Sequence, residues 1–147
     1  MTTLARNKKA RFDFEIIKRY IAGITLLGSE VKAIREGKMN LVDAYCLLKK
    51  GQLFLVNAHI GQYSKSSQKI DPYRERQLLL EKKELETINR ELSQKKLVLI
   101  PIKIFSSKGW LKLEIGLARK KKKGEKRQTL RQKAIEREMQ QELKHYR

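Results

Sequence analysis

The groups in this chain that could do covalent chemistry are few and scattered. There are two histidines, His59 and His145, and one cysteine, Cys46. His59 sits in a strand-like run, where an imidazole reads as a satisfied structural group, and His145 lies in a basic C-terminal stretch. One thiol and two distant imidazoles cannot assemble a zinc site. No glycine-rich phosphate loop and no nucleophile elbow occurs. Glu81, Glu84 and Glu86 alternate with lysines and read as solvated i,i+4 partners, not as an acid–base pair. Asp13 and Glu15 would serve a metal-dependent nuclease, but nothing else in the sequence supports them. No catalytic residue, metal or cofactor is assigned.

Cationic groups are far more numerous. Lys and Arg total 35 against 16 Asp and Glu, a formal net charge of +19 over 147 residues. That charge repels itself in a compact fold, and it exceeds what solubility asks of a small domain. A polyanion that releases counterions relieves it, and a nucleic acid is the natural one. Arg6, Lys8, Lys9 and Arg11 precede the first apolar run; Lys32, Arg35 and Lys38 lie on or after a short helix; Lys103, Lys108 and Lys112 lie on a late hairpin. Aromatic residues make up only 7%, which disfavours recognition of a single strand by base stacking. Reading the shape of a structured A-form RNA through phosphates and 2′-hydroxyls fits better. No run is long and apolar enough to span a bilayer, and no membrane partner is expected. Met1–Asn7 lacks an apolar h-region, and Cys46 in Ala44–Leu48 reads as a small buried hydrophobe, so a cytoplasmic location is expected.

The elements that must carry these cations read as strands with helices between them. Phe12–Ile17 partly alternates as a half-buried strand does, and Tyr20–Leu27 is a second strand-like run with Gly23 as a bulge or bend. Ser29, Glu30 and Lys32 open a short amphipathic helix that ends at Gly37. Ala44–Leu48 and Leu53–Val56 form a hairpin about Lys49–Gln52, its second arm continued by His59-Ile60. Asp71-Pro72 is a helix start signal, and the segment to Lys95 carries a stripe of Leu78, Leu85, Ile88 and Leu92. Leu79 then falls about 100° off that stripe. Leu97–Phe105 and Trp110–Leu117 form a last hairpin, with Pro101 marking an edge strand or a bulge. The expected fold is mainly β with α: an OB-fold-like antiparallel β-barrel with inserted helices, ahead of a split-sheet α+β domain. Residues 1–118 form that domain and residues 119–147 a basic tail with 12 Lys and Arg against 4 Asp and Glu. In the tail, Ile135, Met139, Leu143 and Tyr146 make a thin apolar stripe, so it is expected to be disordered when free and helical on a polyanion.

Ordered motifs then identify a resemblance. Asn7-Lys8-Lys9-Ala10-Arg11, Gly28-Ser29-Glu30-Val31-Lys32-Ala33-Ile34-Arg35, Gly37-Lys38-Met39-Asn40-Leu41 and Asp43-Ala44-Tyr45 occur in sequence. Asn57-Ala58-His59-Ile60, Asp71-Pro72-Tyr73-Arg74-Glu75-Arg76 with Leu78-Leu79-Leu80, and Glu125-Lys126-Arg127 follow. The chain resembles the SsrA-binding proteins, the small protein B family of bacterial trans-translation. The resemblance implies an OB-fold barrel that binds the tRNA-like domain of transfer-messenger RNA (tmRNA). It implies entry with elongation factor Tu into a stalled 70S ribosome, at the decoding centre, with the tail lying in the empty mRNA channel. The expected RNA contacts are Asn7, Lys8, Lys9, Arg11, Lys32, Arg35, Leu79 and Lys112. The expected channel residues are Lys120, Lys121, Glu125, Lys126, Arg127, Arg131, Lys133 and Arg137. The protein is expected to act as a monomer. Leu79 is either an apolar contact for exposed nucleobases or a second core contact. Two positions depart from the family pattern: Ile21 stands where an acidic residue is usual, and Gly124 with an extra lysine interrupts the tail motif. A constitutive ribosomal protein anchored by its tail, and an RNA-processing enzyme, are the competing classes.

Overall fold

The computed structural model describes residues 1–67 and 69–145. Thirteen elements follow in order. β1 is Thr2–Arg6, α1 Ala10–Asp13, β2 Phe14–Ile24, α2 Gly28–Arg35, β3 Met39–Asn40, β4 Tyr45–Lys49 and β5 Gln52–Val56. β6 is His59–Ile60, β7 Arg76–Leu79, α3 Lys82–Gln94, β8 Val98–Ser107, β9 Trp110–Lys120 and α4 Lys123–His145. Seven strands form one antiparallel sheet in the order β1-β8-β9-β2-β7-β5-β4, and β3 pairs with β6 apart from it. The sheet curls until β4 packs against β8, but no ladder joins them, so the OB-like barrel stays open along that seam.

Alternation along the strands builds the core. Leu113, Ile115 and Leu117 of β9 face inward with Tyr20 and Ala22 of β2, Leu53 and Leu55 of β5, and Leu78 of β7. Cys46 is buried among them, and burial pushes its thiol well above the ordinary range. Both long hairpins turn on two residues, Lys50-Gly51 and Lys108-Gly109, all four with positive φ. That is the mirror-type turn whose twist matches right-twisted strands, and it favours glycine in the second place.

Several expectations are corrected. The largest concerns Asp71-Pro72. The Asp71 carboxylate accepts from the Tyr73 N–H at 2.9 Å and the Asp71 carbonyl from Arg74 N–H at 3.2 Å, so the signal makes a turn. Strand β7 follows, and α3 begins only at Lys82, with Glu84 accepting from the Glu81 N–H. Leu85, Ile88 and Leu92 keep their place on the buried side of α3; Leu78 belongs to the strand. Phe12 and Asp13 lie in α1, not in the first strand, because the Asn7 side chain and carbonyl turn the chain onto a short helix. β2 is one strand where two were expected. Its bulge falls between Ile16 and Lys18, not at Gly23. His59-Ile60 pairs with β3, not with the β4–β5 hairpin. Thr2–Arg6 was not recognisable as a strand. Pro101 marks a bulge in a strand flanked on both sides.

A buried ion network locks α2 to the long connection that ends in β7. Glu30 is the third residue of α2, and its Oε1 accepts from the Leu27 N–H at 2.9 Å, closing the helix start. The same oxygen accepts from Arg74, and Oε2 accepts from Arg76 Nε at 2.9 Å and Nη2 at 2.6 Å. Arg76 also donates to the Ala58 and Pro72 carbonyls, at 2.9 and 3.1 Å. Glu30 and Arg76 are 3% and 1% exposed, so the pair survives only because both ends are hydrogen-bonded. Burial raises the carboxyl's pKa, but the hydrogen bonds from Arg74, Leu27 and Arg76 outweigh it and hold it below the ordinary value.

Replacing Glu30 by Ala strands a guanidinium in the core and is expected to cost roughly 3–5 kcal/mol in urea unfolding. Because the folded carboxyl titrates low, its stabilisation is present above about pH 4.3 and is lost as pH falls below that value. Glu30→Gln should therefore flatten the acid limb of the stability curve; an unchanged acid limb would contradict the network. Strand placement of β7 makes a second prediction. Leu78→Ala should lose about 2–5 kcal/mol, whereas Leu79→Ala should stay within about 0.5 kcal/mol of the parent.

Candidate nucleic-acid interface

Residues on the outer face of the sheet are ordered by register. Gly23 of β2 pairs with Leu79 of β7 on one side and with Lys112 of β9 on the other. Lys112 in turn pairs with Phe105 of β8, and Phe105 with Thr3 of β1. Leu79 and Lys112 therefore stand about 10 Å apart across the sheet, two strand spacings, with no side chain between them. A Cβ on Gly23 would lie 3.4 Å from the Cβ of Leu79 and 3.7 Å from its Cδ1, so Leu79 leans into the space glycine leaves. Leu79 is 55% exposed because strand alternation turns it away from Leu78; it reaches the surface, though not by the helical geometry expected.

The next row down pairs Ile21 with Glu114, and Glu114 with Lys103, which pairs with Arg6. Glu114 is 9% exposed and receives Arg19 Nη1 at 2.6 Å and Lys103 Nζ at 3.7 Å. Ile21 is exposed on this same face directly opposite that carboxylate. Above the row, the β8–β9 turn meets α2, where Arg35 Nη2 donates to the Gly109 carbonyl at 3.4 Å. Lys32 points elsewhere, its ammonium 5.3 Å from the Tyr63 ring centre.

The remaining cations gather at the other end of the β2–β9 ribbon. Phe14 pairs with Lys120 nine residues from Gly23 along β2, a separation of about 30 Å at strand rise. Lys8, Lys9 and Arg11 are exposed on the turn and short helix before β2, and Asn7 donates to the Pro101 carbonyl at 3.0 Å. Asn7, Lys9, Lys120 and Lys126 border one groove of about 370 Å³ whose apolar wall includes Tyr45 and Val98. The expected contact residues thus divide: Arg35, Leu79 and Lys112 stand toward one end, Lys8, Lys9, Arg11 and the start of the tail at the other, Asn7 between them against Pro101 and Ile102 of β8, and Lys32 apart beside Tyr63.

The tail leaves the body through a clamp that the sequence did not reveal. β9 continues to Lys120, two residues beyond the expected boundary. Arg119 donates to Glu15 through Nε at 3.1 Å and to Glu125 through Nη1 at 3.2 Å and Nη2 at 2.6 Å. These bonds, Glu125 first, raise the guanidinium's pKa, and they lower that of Glu125. Lys121 donates through its backbone to the Asp13 carbonyl at 2.9 Å and through Nζ to the Arg11 carbonyl at 2.8 Å. Lys126 reaches Asp13 Oδ1 at 3.4 Å and lies over the Phe12 ring. Asp13 and Glu15, the carboxylates considered for a nuclease, thus hold the root of the tail. Beyond it, Arg127, Arg131 and Arg137 are exposed, Lys133 is half-buried, and Leu130 and Ile135 are more than half exposed. The side chains of Met139 and Leu143, and all of Tyr146, lie outside the described residues.

Sequence reasoning missed Arg119, Glu114 and Arg19. By sequence Arg119 is only the first residue of the basic tail, although Glu15 and Glu125 are there to receive it. Among the described residues, no three His, Cys, Asp or Glu side chains gather as metal ligands, and no helix is long and apolar enough to cross a membrane.

Comparison with known proteins assigns the family. The family model for SmpB protein matches residues 4–145. An SsrA-binding protein of Gloeothece citriformis is 44% identical over 142 residues, spanning 95% of this chain and 92% of that one. An SsrA-binding protein of Shouchella clausii is 44% identical over 142 residues, spanning 96% and 91%. A chain from the solved structure described as "tmRNA-SmpB: a journey to the center of the bacterial ribosome" superposes with a TM-score of 0.67 at 43% identity, covering 81% of this chain and 85% of that one. With its barrel, its paired cationic ends and a match across nearly its whole length, this chain belongs to the SmpB protein family.

Proposed function

We propose that this protein binds the tRNA-like domain of tmRNA and delivers it to stalled ribosomes, where incomplete proteins are tagged. The observation that carries the reading is the separation of two cationic ends on one hydrogen-bonded ribbon, about 30 Å apart. An adaptor must touch two nucleic acids without letting either cover the other's site, and a stiff spacer between two basic patches does that. The Leu79–Lys112 end takes the RNA by its shape, its phosphates and the exposed bases of its elbow. The Lys8–Arg11 end, with Lys120 and Lys121, continues into the tail and completes the grip where RNA and ribosome meet.

The tail is the sensor. Lys126, Arg127, Arg131, Lys133 and Arg137 compete with mRNA for the same anionic channel, so the helix settles only where the channel is empty. Past the Arg119–Glu125 clamp the helix leaves Leu130 and Ile135 in solvent, and a helix held by so little burial is marginal alone. It orders fully inside the channel, and the free energy that ordering consumes sharpens the choice of an empty path. Elongation factor Tu joins through the alanyl-tmRNA. The protein acts in the cytoplasm as a monomer and performs no catalysis.

Ending the chain after Lys122 removes α4 and keeps β9. That truncation should bind the tRNA-like RNA within about threefold of full length, because the far patch is intact, yet give no tagging in a translation assay on stop-less mRNA. Normal tagging would remove the sensor. Affinity should also fall steeply with salt, and Lys112→Ala should reduce the salt slope by about one. Binding that persists unchanged in concentrated salt would sink the reading.

A further inference from the structure

Trp110 is the one tryptophan of the chain, and it is 74% exposed. Tryptophan on average is highly buried, so a ring left in water at a fixed position calls for a partner. Its position is fixed. Trp110 pairs with Ser107 at the close of the two-residue turn, whose residues Lys108 and Gly109 hold φ at 51° and 81°. Arg35 steadies the turn by donating to the Gly109 carbonyl. Alternation sets the direction: Leu111 packs on the core, so Trp110 and Lys112 face outward together. Trp110 thus belongs to the same face as Leu79, two residues along β9 from the row that joins Leu79 to Lys112.

The surroundings select the chemistry of that partner. Lys108 lies in the same turn, Lys112 stands two residues along β9 on the same face, and Arg35 reaches the adjoining Gly109 carbonyl; all three are exposed. The next outward residue of β9, Glu114, is already neutralised by Arg19 and Lys103. A protein surface that buries a tryptophan offers contiguous apolar area, whereas here the neighbours are cations. A flat π-face with exposed cations in its own turn and strand suits a nucleobase with flanking phosphates.

We propose that Trp110 is a stacking platform for one unpaired base of the bound RNA, with Lys112 and Arg35 meeting the flanking phosphates. The inference rests on the RNA-binding reading above and adds a base-contacting subsite to it. A chain poor in aromatics then uses its single exposed tryptophan where shape reading alone would leave an open base unrecognised.

The lone tryptophan makes the test direct. The intact protein is titrated with the tRNA-like domain RNA, and Trp110 emission is followed beside a gel-shift measurement. Emission should be quenched in step with the shift, and a fully paired RNA duplex of equal length should bind without that quenching. Trp110→Ala should weaken binding of the tRNA-like RNA by about 5- to 150-fold, the range stacking of one base gives. Trp110→Phe should recover most of the loss, and thermal melting should show both variants folded. If the shift saturates while emission stays constant, or if Trp110→Ala binds like the parent, the stacking subsite is wrong and the RNA-binding reading stands. Equal quenching by the duplex would also overturn it. A variant that binds RNA normally but fails only in tagging would place the partner of Trp110 on the ribosome, against the proposal. Failure of the parent protein to shift the RNA would remove both readings.

Discussion

Glu30 is the residue through which the two halves of the barrel know each other's position. It lies in the first turn of α2, which packs against β1 and β6, and it is bound by guanidiniums from the distant segment that becomes β7. Arg76 sets the inward parity of that strand, so Leu78 follows it into the core and Leu79 turns out. The outward leucine of the candidate interface is therefore placed by an ion pair on the opposite side of its own strand. A buried charge pair is weak evidence for net stability, because apolar residues of like volume would serve as well or better. What it supplies here is register: only one alignment of β7 lets Arg76 reach Glu30, the Ala58 carbonyl and the Pro72 carbonyl together.

The same logic governs the surface. With 35 basic side chains and 16 acidic ones, carboxylates are scarce, and the structure places several of them beneath or between cations. Glu114 lies between Arg19 and Lys103; Glu15 and Glu125 flank Arg119; Asp13 receives Lys126. Each such pair fixes a long flexible side chain that would otherwise lose rotamer freedom on meeting a phosphate. The pairs of Arg119, which are open to solvent, add little to stability in water. Their effect is to aim charge and to thin the repulsion among neighbouring lysines, so that a basic surface keeps a defined shape. Ile21 sits opposite Glu114, so this row of the patch keeps one carboxylate beside an exposed apolar side chain.

Much of this was legible in the residues. The strand at Trp110–Leu117, the hairpin about Lys49–Gln52 and the helix opened by Ser29 all matched the structure, because each is decided locally by side-chain parity or backbone freedom. The failures share a different cause. Leu78-Leu79-Leu80 satisfies a helical stripe and a strand equally, and a tertiary partner for Arg76 broke the tie. Asp71-Pro72 offers the same side-chain cap to a turn as to a helix. Thr2–Arg6 has no alternation of its own and becomes a strand only because β8 offers a ladder. The candidate site followed the same division. Its cations were visible as residue types, but their separation into two ends was not, since only β2–β9 pairing sets that distance.

The β2–β9 ribbon acts as a ruler graduated in residues. One inserted residue in both strands would turn every outward side chain between the two patches inward, destroying the faces before it changed their spacing. Two inserted residues would restore parity and lengthen the span by about 7 Å. A single extra residue is taken up only as a bulge in one strand, as already stands between Ile16 and Lys18 of β2. The distance between the two patches is thus set by backbone pairing, and the side chains at its ends can change without altering it.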